Sequence, residues 1–281
     1  MKPVAYLRIL RPSNLVFIAL TVLFGAFFRA SVQWSLPVLA AVLSAVCIGG
    51  AGYAMNDFFD IPIDMVNRPK RVLPSGQISP RSAYLWAVFL FILGMFISLL
   101  TGLWVCVLLA TLNSFLLFFY ARNLKKTFLA GNIVVAYSAA STFLYGGLAA
   151  GNAANSLIIA SYAFLYTIMR ELVKDMEDIE GDSADGAFTL AVKLGLRRTV
   201  SISMLFCLLL VMLSLVSLGS GWLPPIFYVL LALFVVLPLL AFHTWMWRQP
   251  EQWVFARVSW WMKLDMLALL AIMWFAGAPG S

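Results

Sequence analysis

The chain has 281 residues, of which 63% are hydrophobic and only 11% are charged. This composition excludes an ordinary soluble domain, in which roughly 25% of residues are charged. The formal net charge of +7 could suit an anionic partner, but the Lys and Arg residues are scattered over short segments between long apolar runs. Such scatter argues against a nucleic-acid surface, and the sequence predicts an integral membrane protein.

Long uncharged segments define the predicted helices, since a membrane-spanning helix needs about 20 apolar residues. Residues 12–28 and 30–56 supply one helix each, 82–121, 127–169 and 199–247 are each long enough for a helical hairpin, and about 258–277 supplies the last helix. Turns of these hairpins are expected at Gly102, near Gly151, and from Gly221 to Pro225. The predicted fold class is all-α, an integral membrane bundle of nine transmembrane helices forming a single domain over residues 1–281.

The basic residues predict the orientation of this bundle. Of the 19 Lys and Arg residues, only Arg29 falls on the side opposite the N-terminus. Because cytoplasmic loops carry the excess of Lys and Arg, the N-terminus is expected in the cytoplasm. All 12 acidic residues are assigned to the same side, so the chemistry is expected to face the cytoplasm.

One acidic pattern occurs twice, with carboxylates three and then four residues apart. The two copies are Asp57, Asp60 and Asp64, and, 118 positions later (175 − 57), Asp175, Asp178 and Asp182. On a helix, residues at these spacings share one face. Carboxylates this close repel one another unless a cation satisfies them. Oxygen ligands of this kind suit Mg²⁺, which commonly binds one or two carboxylates together with substrate phosphates.

Pro62 interrupts the first copy, because proline lacks a backbone donor and disfavours helix at the residue before it. We expect the helix to end near Asp60, with Asp64 on the following loop. The second copy belongs to residues 169–182, whose periodicity is helical. There Arg170 could pair with Glu171, or Lys174 with Asp178, and a purely structural ion-pair network is the alternative to a metal site.

The two acidic copies follow predicted helices two and six, which are four helices apart. This spacing predicts two pseudo-repeated four-helix units plus a ninth helix, and internal repeats of this kind often place a polar site at their interface.

Cationic segments follow the acidic copies or lie between them. Residues 67–76 contain three cations and two prolines, residues 120–126 contain three more cations, and Lys193 follows the second copy. Loop cations beside a membrane often only set topology. Several cationic segments on the same side as two carboxylate clusters are better explained by a phosphate-rich ligand.

At these residues the chain resembles the UbiA superfamily of intramembrane prenyltransferases. The first family motif, Asn-Asp-x-x-Asp-x-x-x-Asp, is matched by Asn56, Asp57, Asp60 and Asp64, and the second, Asp-x-x-Asp-x-x-x-Asp, by Asp175, Asp178 and Asp182. A tyrosine-then-lysine motif corresponds to Tyr120 with Lys125 or Lys126. The resemblance covers essentially the whole chain and implies transfer of a polyprenyl group from its diphosphate to an acceptor.

Within the superfamily, the loops look most like those of members that add a geranylgeranyl chain to geranylgeranylglyceryl phosphate. They also resemble members with aromatic acceptors of the quinone, tocopherol or chlorophyll type, so both acceptor classes stay open. Pro62 departs from the acidic or polar residue expected at that position.

The resemblance also implies roles for individual residues. Mg²⁺ is expected at Asp57, Asp60, Asp175 and Asp178, assisted by Asn56, Asp64 and Asp182. The diphosphate is expected at Arg71, Tyr120, Lys125, Lys126 and Lys193, and a phosphorylated acceptor at Arg11, Asn14, Arg68 and Lys174.

A transporter for a phosphorylated substrate or a divalent cation is the main alternative, because duplicated halves and intramembrane charges fit it. The uncharged segments 30–56 and 127–169 leave no evident gate on the far side. A structural scaffold does not explain two matched acidic clusters. The expected partners are therefore a prenyl diphosphate donor, a lipid or aromatic acceptor and membrane lipid, without nucleic acid.

Overall fold

A computed structural model describes residues 3–31, 33–184 and 186–276. Within these ranges the chain forms helices, turns and loops only, which confirms the all-α prediction. The first seven helices are α1 (Pro3–Arg8), α2 (Pro12–Phe27), α3 (Leu36–Phe59), α4 (Ile61–Asn67), α5 (Pro80–Ser98), α6 (Trp104–Arg122) and α7 (Ala130–Ala149). The remaining seven are α8 (Ala153–Glu177), α9 (Ile179–Ala184), α10 (Leu190–Leu194), α11 (Leu196–Gly219), α12 (Pro225–Leu231), α13 (Leu237–Arg248) and α14 (Gln252–Ala276).

Seven helical segments are long and apolar enough to cross a membrane, among the residues that the structure describes. They are Leu36–Phe59, Pro80–Thr101, Trp104–Arg122, Ala153–Glu177, Leu196–Gly219, Pro225–Arg248 and Gln252–Phe275. The sequence predicted nine spans. The two helices that make up the difference are α2 and α7. α2 has only 16 residues, and α7, with 20 residues, is not among the seven apolar spans. The protein is a multi-pass membrane protein.

Local sequence signals explain where the long helices begin and turn. Ser35 caps α3 and Ser79 caps α5, and in each case proline stands at the start of the helix, where its missing N–H costs nothing. The predicted turns are confirmed at Gly102, Gly151 and Gly221, whose φ angles of 70°, 71° and 69° are left-handed. Glycine adopts this conformation without steric cost.

The span Pro225–Arg248 is not a uniform α-helix. A π-helical turn at Ala232–Val236 separates α12 from α13. Pro238 follows immediately in the first turn of α13. Proline has no backbone N–H to donate to the preceding turn, so the α-helical hydrogen bonding changes to π-helical bonding there while the span stays continuous.

The chain divides into two compact units. The first spans Met1–Phe27, Ser31–Lys125 and Ser141–Leu157, and the second spans Phe28–Ala30, Lys126–Ala140 and Ile158–Ser281. In the first unit α3 packs against α2, α5 and α6. Small residues such as Ala41, Ser44 and Ala51 are fully buried on α3, which lets neighbouring backbones approach closely.

The second unit is built around α11 to α14. α11 packs against α13, and α14 packs against α12 and α13. Two pairs of buried polar groups lie in this unit: the Tyr162 hydroxyl donates to Ser214 over 3.0 Å, and Ser203 lies 2.9 Å from Nε2 of His243. Pairing of this kind removes the cost of burying polar groups away from water.

Candidate active site

The first aspartate motif lies where a long helix is followed directly by a short one. α3 ends at Phe59, Asp60 is the C-cap, and Pro62 stands in the first turn of α4. The predicted end near Asp60 is confirmed. The backbone still turns helically across the junction, because Asp60 N–H donates to Asn56 over 3.0 Å and Asp64 N–H donates to Asp60 over 2.8 Å. Asp64 therefore lies in a helix, and the predicted loop at this residue is wrong.

Three basic side chains from three segments meet the carboxylates of the first motif. Arg71 Nη1 lies 2.6 Å from Asp64 Oδ2 and 3.5 Å from Asp57 Oδ1. Arg11 Nη2 lies 2.6 Å from Asp57 Oδ1, and Lys125 forms an ion pair with Asp60 Oδ1. The amide of Asn56 also donates from Nδ2 to Asp60 Oδ2 over 2.8 Å. Because Asp57 and Asp64 are buried, these cations offset charges that would otherwise be costly there.

Arg11 reaches Asp57 from the junction between α1 and α2. Its φ of 55° is left-handed, and its guanidinium also lies over the Tyr53 ring, 5.1 Å from the centroid. Asn14 lies beside the Tyr53 hydroxyl. The sequence assigned Arg11 and Asn14 to the acceptor, whereas the structure places Arg11 directly on a predicted metal-binding carboxylate.

The second aspartate motif repeats the local backbone geometry of the first. α8 ends at Glu177, Asp178 follows it, and α9 begins at Ile179. The Asp178 N–H donates to Lys174 and the Asp182 N–H donates to Asp178, both over 2.9 Å. The helical periodicity predicted over residues 169–182 is therefore interrupted at Asp178. In both motifs, then, the first aspartate lies on a long helix, the second at the junction and the third on a short helix.

The side-chain partners of the second motif differ from those of the first. Asn132 Nδ2 donates to Asp175 Oδ2 over 2.9 Å, and Lys174 pairs with Asp178 over 2.7 Å at an exposed position. Arg170 pairs with Glu171 over 2.7 Å, so both ion pairs predicted on this segment are confirmed. Sequence reasoning missed Asn132, although Asn14 precedes Asp57 by the same 43 positions (175 − 132 and 57 − 14).

The other predicted site residues lie in short segments around these motifs. Tyr120 is in the last turn of α6, and Lys125 and Lys126 form part of the 3₁₀ turn Leu124–Lys126. Lys193 is in α10, with its ammonium 5.4 Å from the centroid of the Phe188 ring. Arg68 is the C-cap of α4 and is exposed.

Among the described residues, no three His, Cys, Asp or Glu side chains are grouped so that they alone could hold a metal ion. Mg²⁺ does not require such a cage, because it usually keeps several waters and takes one or two carboxylates plus substrate phosphates. Each motif offers carboxylate oxygens without any soft ligand, and one oxygen of Asp175 has no donor among the described residues. This donor set fits Mg²⁺.

A buried acidic residue lies far from both motifs in the chain. Asp265 is in α14 and only 7% exposed, within the span Gln252–Phe275. The Tyr166 hydroxyl lies 3.0 Å from Asp265 Oδ2 and 2.7 Å from the carbonyl oxygen of Met262. Asp265 therefore lies inside an apolar span and not in a segment between spans.

A helical membrane protein with two such aspartate motifs has the make-up of an intramembrane prenyltransferase. Comparison with protein families agrees, because the model of the UbiA prenyltransferase family matches residues 18–276. The chain belongs to the UbiA prenyltransferase family and is a prenyltransferase.

Two curated relatives carry the same name, digeranylgeranylglyceryl phosphate synthase. The protein from Methanothrix thermoacetophila is 44% identical over 218 residues, which covers 77% of this chain and 81% of that protein. The protein from Methanothermobacter thermautotrophicus is 35% identical over 284 residues, which covers 98% of this chain and 95% of that protein.

Solved structures share the fold. A structure described as a digeranylgeranylglyceryl phosphate synthase in membranes has a TM-score of 0.87 and 27% identity, covering 97% of both chains. A UbiA homologue from Archaeoglobus fulgidus bound to GPP and Mg²⁺ has a TM-score of 0.68 at 17% identity and covers 96% of this chain and 99% of that one. At that identity the second structure shows the fold alone.

Proposed function

We propose that this protein transfers a geranylgeranyl group from geranylgeranyl diphosphate to geranylgeranylglyceryl phosphate in a Mg²⁺-dependent reaction. The bond between C1 of the prenyl chain and the diphosphate oxygen breaks, and an ether bond forms to the hydroxyl oxygen of the acceptor. Diphosphate and the hydroxyl proton are released. The observation that carries this proposal is the relative from Methanothermobacter thermautotrophicus, which is 35% identical over 98% of this chain and is named for this synthesis.

Seven oxygen-bearing residues are proposed to hold Mg²⁺. They are Asn56, Asp57, Asp60 and Asp64 of the first motif, and Asp175, Asp178 and Asp182 of the second. The equal spacing and equal local geometry of the motifs support a shared role in binding Mg²⁺, and residues 1–281 are proposed to form a single prenyltransferase domain. When bound, Mg²⁺ supplies Lewis-acid neutralisation of the diphosphate charge.

The chain's own cations stabilise the departing diphosphate. Arg71 and Lys125 already contact carboxylates of the first motif, so a diphosphate bound at these carboxylates comes within their reach. Tyr120, Lys126 and Lys193 complete the proposed diphosphate site. Donors that are already in position when charge develops on the leaving group lower the barrier, because they need not reorganise during bond breaking.

The phosphate of the acceptor needs cations beyond those that serve the donor. Arg11, Asn14, Arg68 and Lys174 are proposed for it. Arg68 is exposed and makes no ion pair with the described residues, so its charge is available. Arg11 and Lys174 each hold an aspartate of one motif, which supports an acceptor phosphate bound beside the carboxylates.

We further propose nine membrane crossings in two pseudo-repeated four-helix units plus a ninth helix. The seven long apolar segments, together with α2 and α7, give that count, and the repeated junction geometry supports the duplication. The distribution of Lys and Arg supports an N-terminus and an active site on the cytoplasmic side.

The test is incubation of the purified protein with geranylgeranyl diphosphate, Mg²⁺ and separate acceptors, followed by mass spectrometry. Geranylgeranylglyceryl phosphate should give the doubly prenylated product, EDTA should abolish it, and added Mg²⁺ should restore it. Product with an aromatic acceptor and none with the glycerophosphate would contradict the proposed acceptor. Flux of diphosphate into sealed vesicles without any prenylated product would contradict an enzyme altogether.

A further inference from the structure

The two aspartate motifs differ in how their carboxylates are neutralised. In the first motif every carboxylate has a basic partner: Asp57 contacts Arg11 and Arg71, Asp64 contacts Arg71, and Asp60 contacts Lys125. A Mg²⁺ ion at Asp57 meets two guanidinium groups that already neutralise this carboxylate. Its binding there is unfavourable unless these cations gain another anionic partner.

Asp175 in the second motif has no such competitor. Its only hydrogen bond comes from the neutral amide of Asn132, over 2.9 Å, and it makes no ion pair with any residue described in the structure. Asp178 and Asp182 of the same motif supply further carboxylates nearby in the chain. Oδ1 of Asp175 has no donor among the described residues, so this oxygen can accept a cation.

Asn132 is suited to hold Asp175 for this purpose. It is 7% exposed, so its amide has little freedom to turn toward water. Its contact goes to Oδ2 of Asp175 and leaves Oδ1 open. Partners that orient a metal-binding side chain in this way typically change metal affinity by about 10- to 100-fold when they are removed.

We propose that the two motifs take up Mg²⁺ in order, and that Asn132 positions the carboxylate that binds first. This inference rests on the proposed Mg²⁺-dependent function. Asp175 binds the ion without the prenyl diphosphate. The first motif binds Mg²⁺ only together with the diphosphate, whose oxygens accept Arg71 and Lys125 as these cations leave the carboxylates.

The test uses the full chain in phospholipid nanodiscs, with Mn²⁺ as a paramagnetic substitute for Mg²⁺ and free Mn²⁺ measured by electron paramagnetic resonance. Without diphosphate, the wild-type protein should bind Mn²⁺, Asp175→Asn should lose this binding, and Asp57→Asn should retain it. Asn132→Ala should weaken it about 10-fold. Asn113→Ala is the matched control and should leave it unchanged, because the Asn113 amide contacts Leu109 and Ser141 and no aspartate among the described residues.

A second titration adds geranylgeranyl thiodiphosphate, which is cleaved slowly. The wild-type protein should then bind additional Mn²⁺, and Asp57→Asn should lose only this increment. Loss of the diphosphate-independent binding in Asp57→Asn but not in Asp175→Asn would overturn the order, as would wild-type protein that binds no Mn²⁺ without the analogue. Asp175→Asn keeps the shape of the side chain, and helical circular dichroism verifies its fold.

The outcome is separable from that of the proposed function. If the protein transfers no prenyl group to geranylgeranylglyceryl phosphate, the acceptor assignment fails while the Mn²⁺ titrations can still support the order. If transfer occurs and the titrations give the reverse order, the proposed function stands and the inference fails.

Discussion

Arg71 Nη1 lies 2.6 Å from Oδ2 of Asp64, whose side chain is almost fully buried. The same nitrogen lies 3.5 Å from Asp57 Oδ1, so one guanidinium bridges the first and third aspartates of the motif. A planar guanidinium can serve two carboxylates at once, whereas a lysine ammonium is a single point charge. Arg71 therefore both spaces the carboxylates and supplies charge for the diphosphate.

Replacement of Arg71 by alanine should lower kcat/KM for geranylgeranyl diphosphate roughly 100-fold, a loss typical of removing one preorganised donor. Arg71→Lys should recover only part of it, because a lysine side chain is shorter and its ammonium is a compact point charge. Steady-state prenyl transfer is the measurement. Arg81→Ala is the control, since Arg81 is exposed at the start of α5 and should leave kcat/KM unchanged. Equal rates for Arg71→Ala and Arg81→Ala would refute the assignment.

Removing the central aspartate of either motif should abolish turnover with any acceptor. Asp60→Ala deprives Lys125 and Asn56 of their shared partner, and Asp178→Ala removes the partner of Lys174. Both changes remove a proposed ligand of Mg²⁺, so the charge of the leaving group is no longer neutralised. The measurement is product formation at saturating Mg²⁺, with expression level and size-exclusion profile recorded for each variant.

The control for these two variants is Glu180→Ala, because Glu180 is acidic and exposed on α9 beside the second motif. It should keep wild-type turnover. Wild-type turnover in a folded Asp60→Ala or Asp178→Ala protein would remove that aspartate from the proposed site.

Much of the architecture could be predicted because it depends on composition and on strong local signals. Uncharged runs that are long enough to span a membrane indicated the helices. Gly102, Gly151 and Gly221 marked the turns, because left-handed φ angles favour glycine. The acidic motifs were found because their spacing repeats. The break at Asp60 could be predicted from Pro62, but no proline marks the equivalent break at Asp178, so that one was missed.

What the sequence could not predict depends on three-dimensional pairing. Asn132 is 43 positions from Asp175, and a single amide on an apolar helix gives no local sign of its partner. The pairing of Asp265 could not be predicted for the same reason, because the hydroxyl of Tyr166 that pairs with its buried carboxylate lies 99 positions away.

The close approach of α2 and α7 within the first unit should be sensitive to a single methyl group. A Cβ atom added at Gly146 would overlap the carbonyl oxygen of Val22, and one added at Gly25 would overlap that of Phe143. Because the obstacles are backbone atoms, the helices must move apart, which costs at least about 1–3 kcal/mol in a packed interior. Gly146→Ala should therefore lower the unfolding temperature in detergent.

Gly219→Ala is the matched control for this change. A Cβ atom at Gly219, in the last turn of α11, meets nothing within 4 Å. Alanine also has the higher helix propensity, by about 1 kcal/mol, so this variant should unfold at the wild-type temperature or above it. Equal unfolding temperatures for Gly146→Ala and wild type would contradict the close helix crossing.

The buried contact between Tyr166 and Asp265 should behave as an energetic pair. Tyr166→Phe leaves the carboxyl of Asp265 without its hydroxyl partner, which should cost about 1–3 kcal/mol of stability. Asp265→Leu leaves the hydroxyl its contact with Met262, over 2.7 Å. The double variant Tyr166→Phe/Asp265→Leu removes both polar groups, so its loss of stability should be smaller than the sum of the single losses by at least about 0.5 kcal/mol.

Tyr162→Phe provides the control cycle, because the Tyr162 hydroxyl pairs with Ser214 over 3.0 Å and not with Asp265. Its effect should add to that of Asp265→Leu without coupling. Unfolding in detergent, followed by circular dichroism, measures all six proteins: the wild type, three single variants and two double variants. If the losses of stability in the Tyr166 cycle are additive, Asp265 is stabilised by a group other than this hydroxyl. Substitutions of two residues in contact are expected to show a coupling energy.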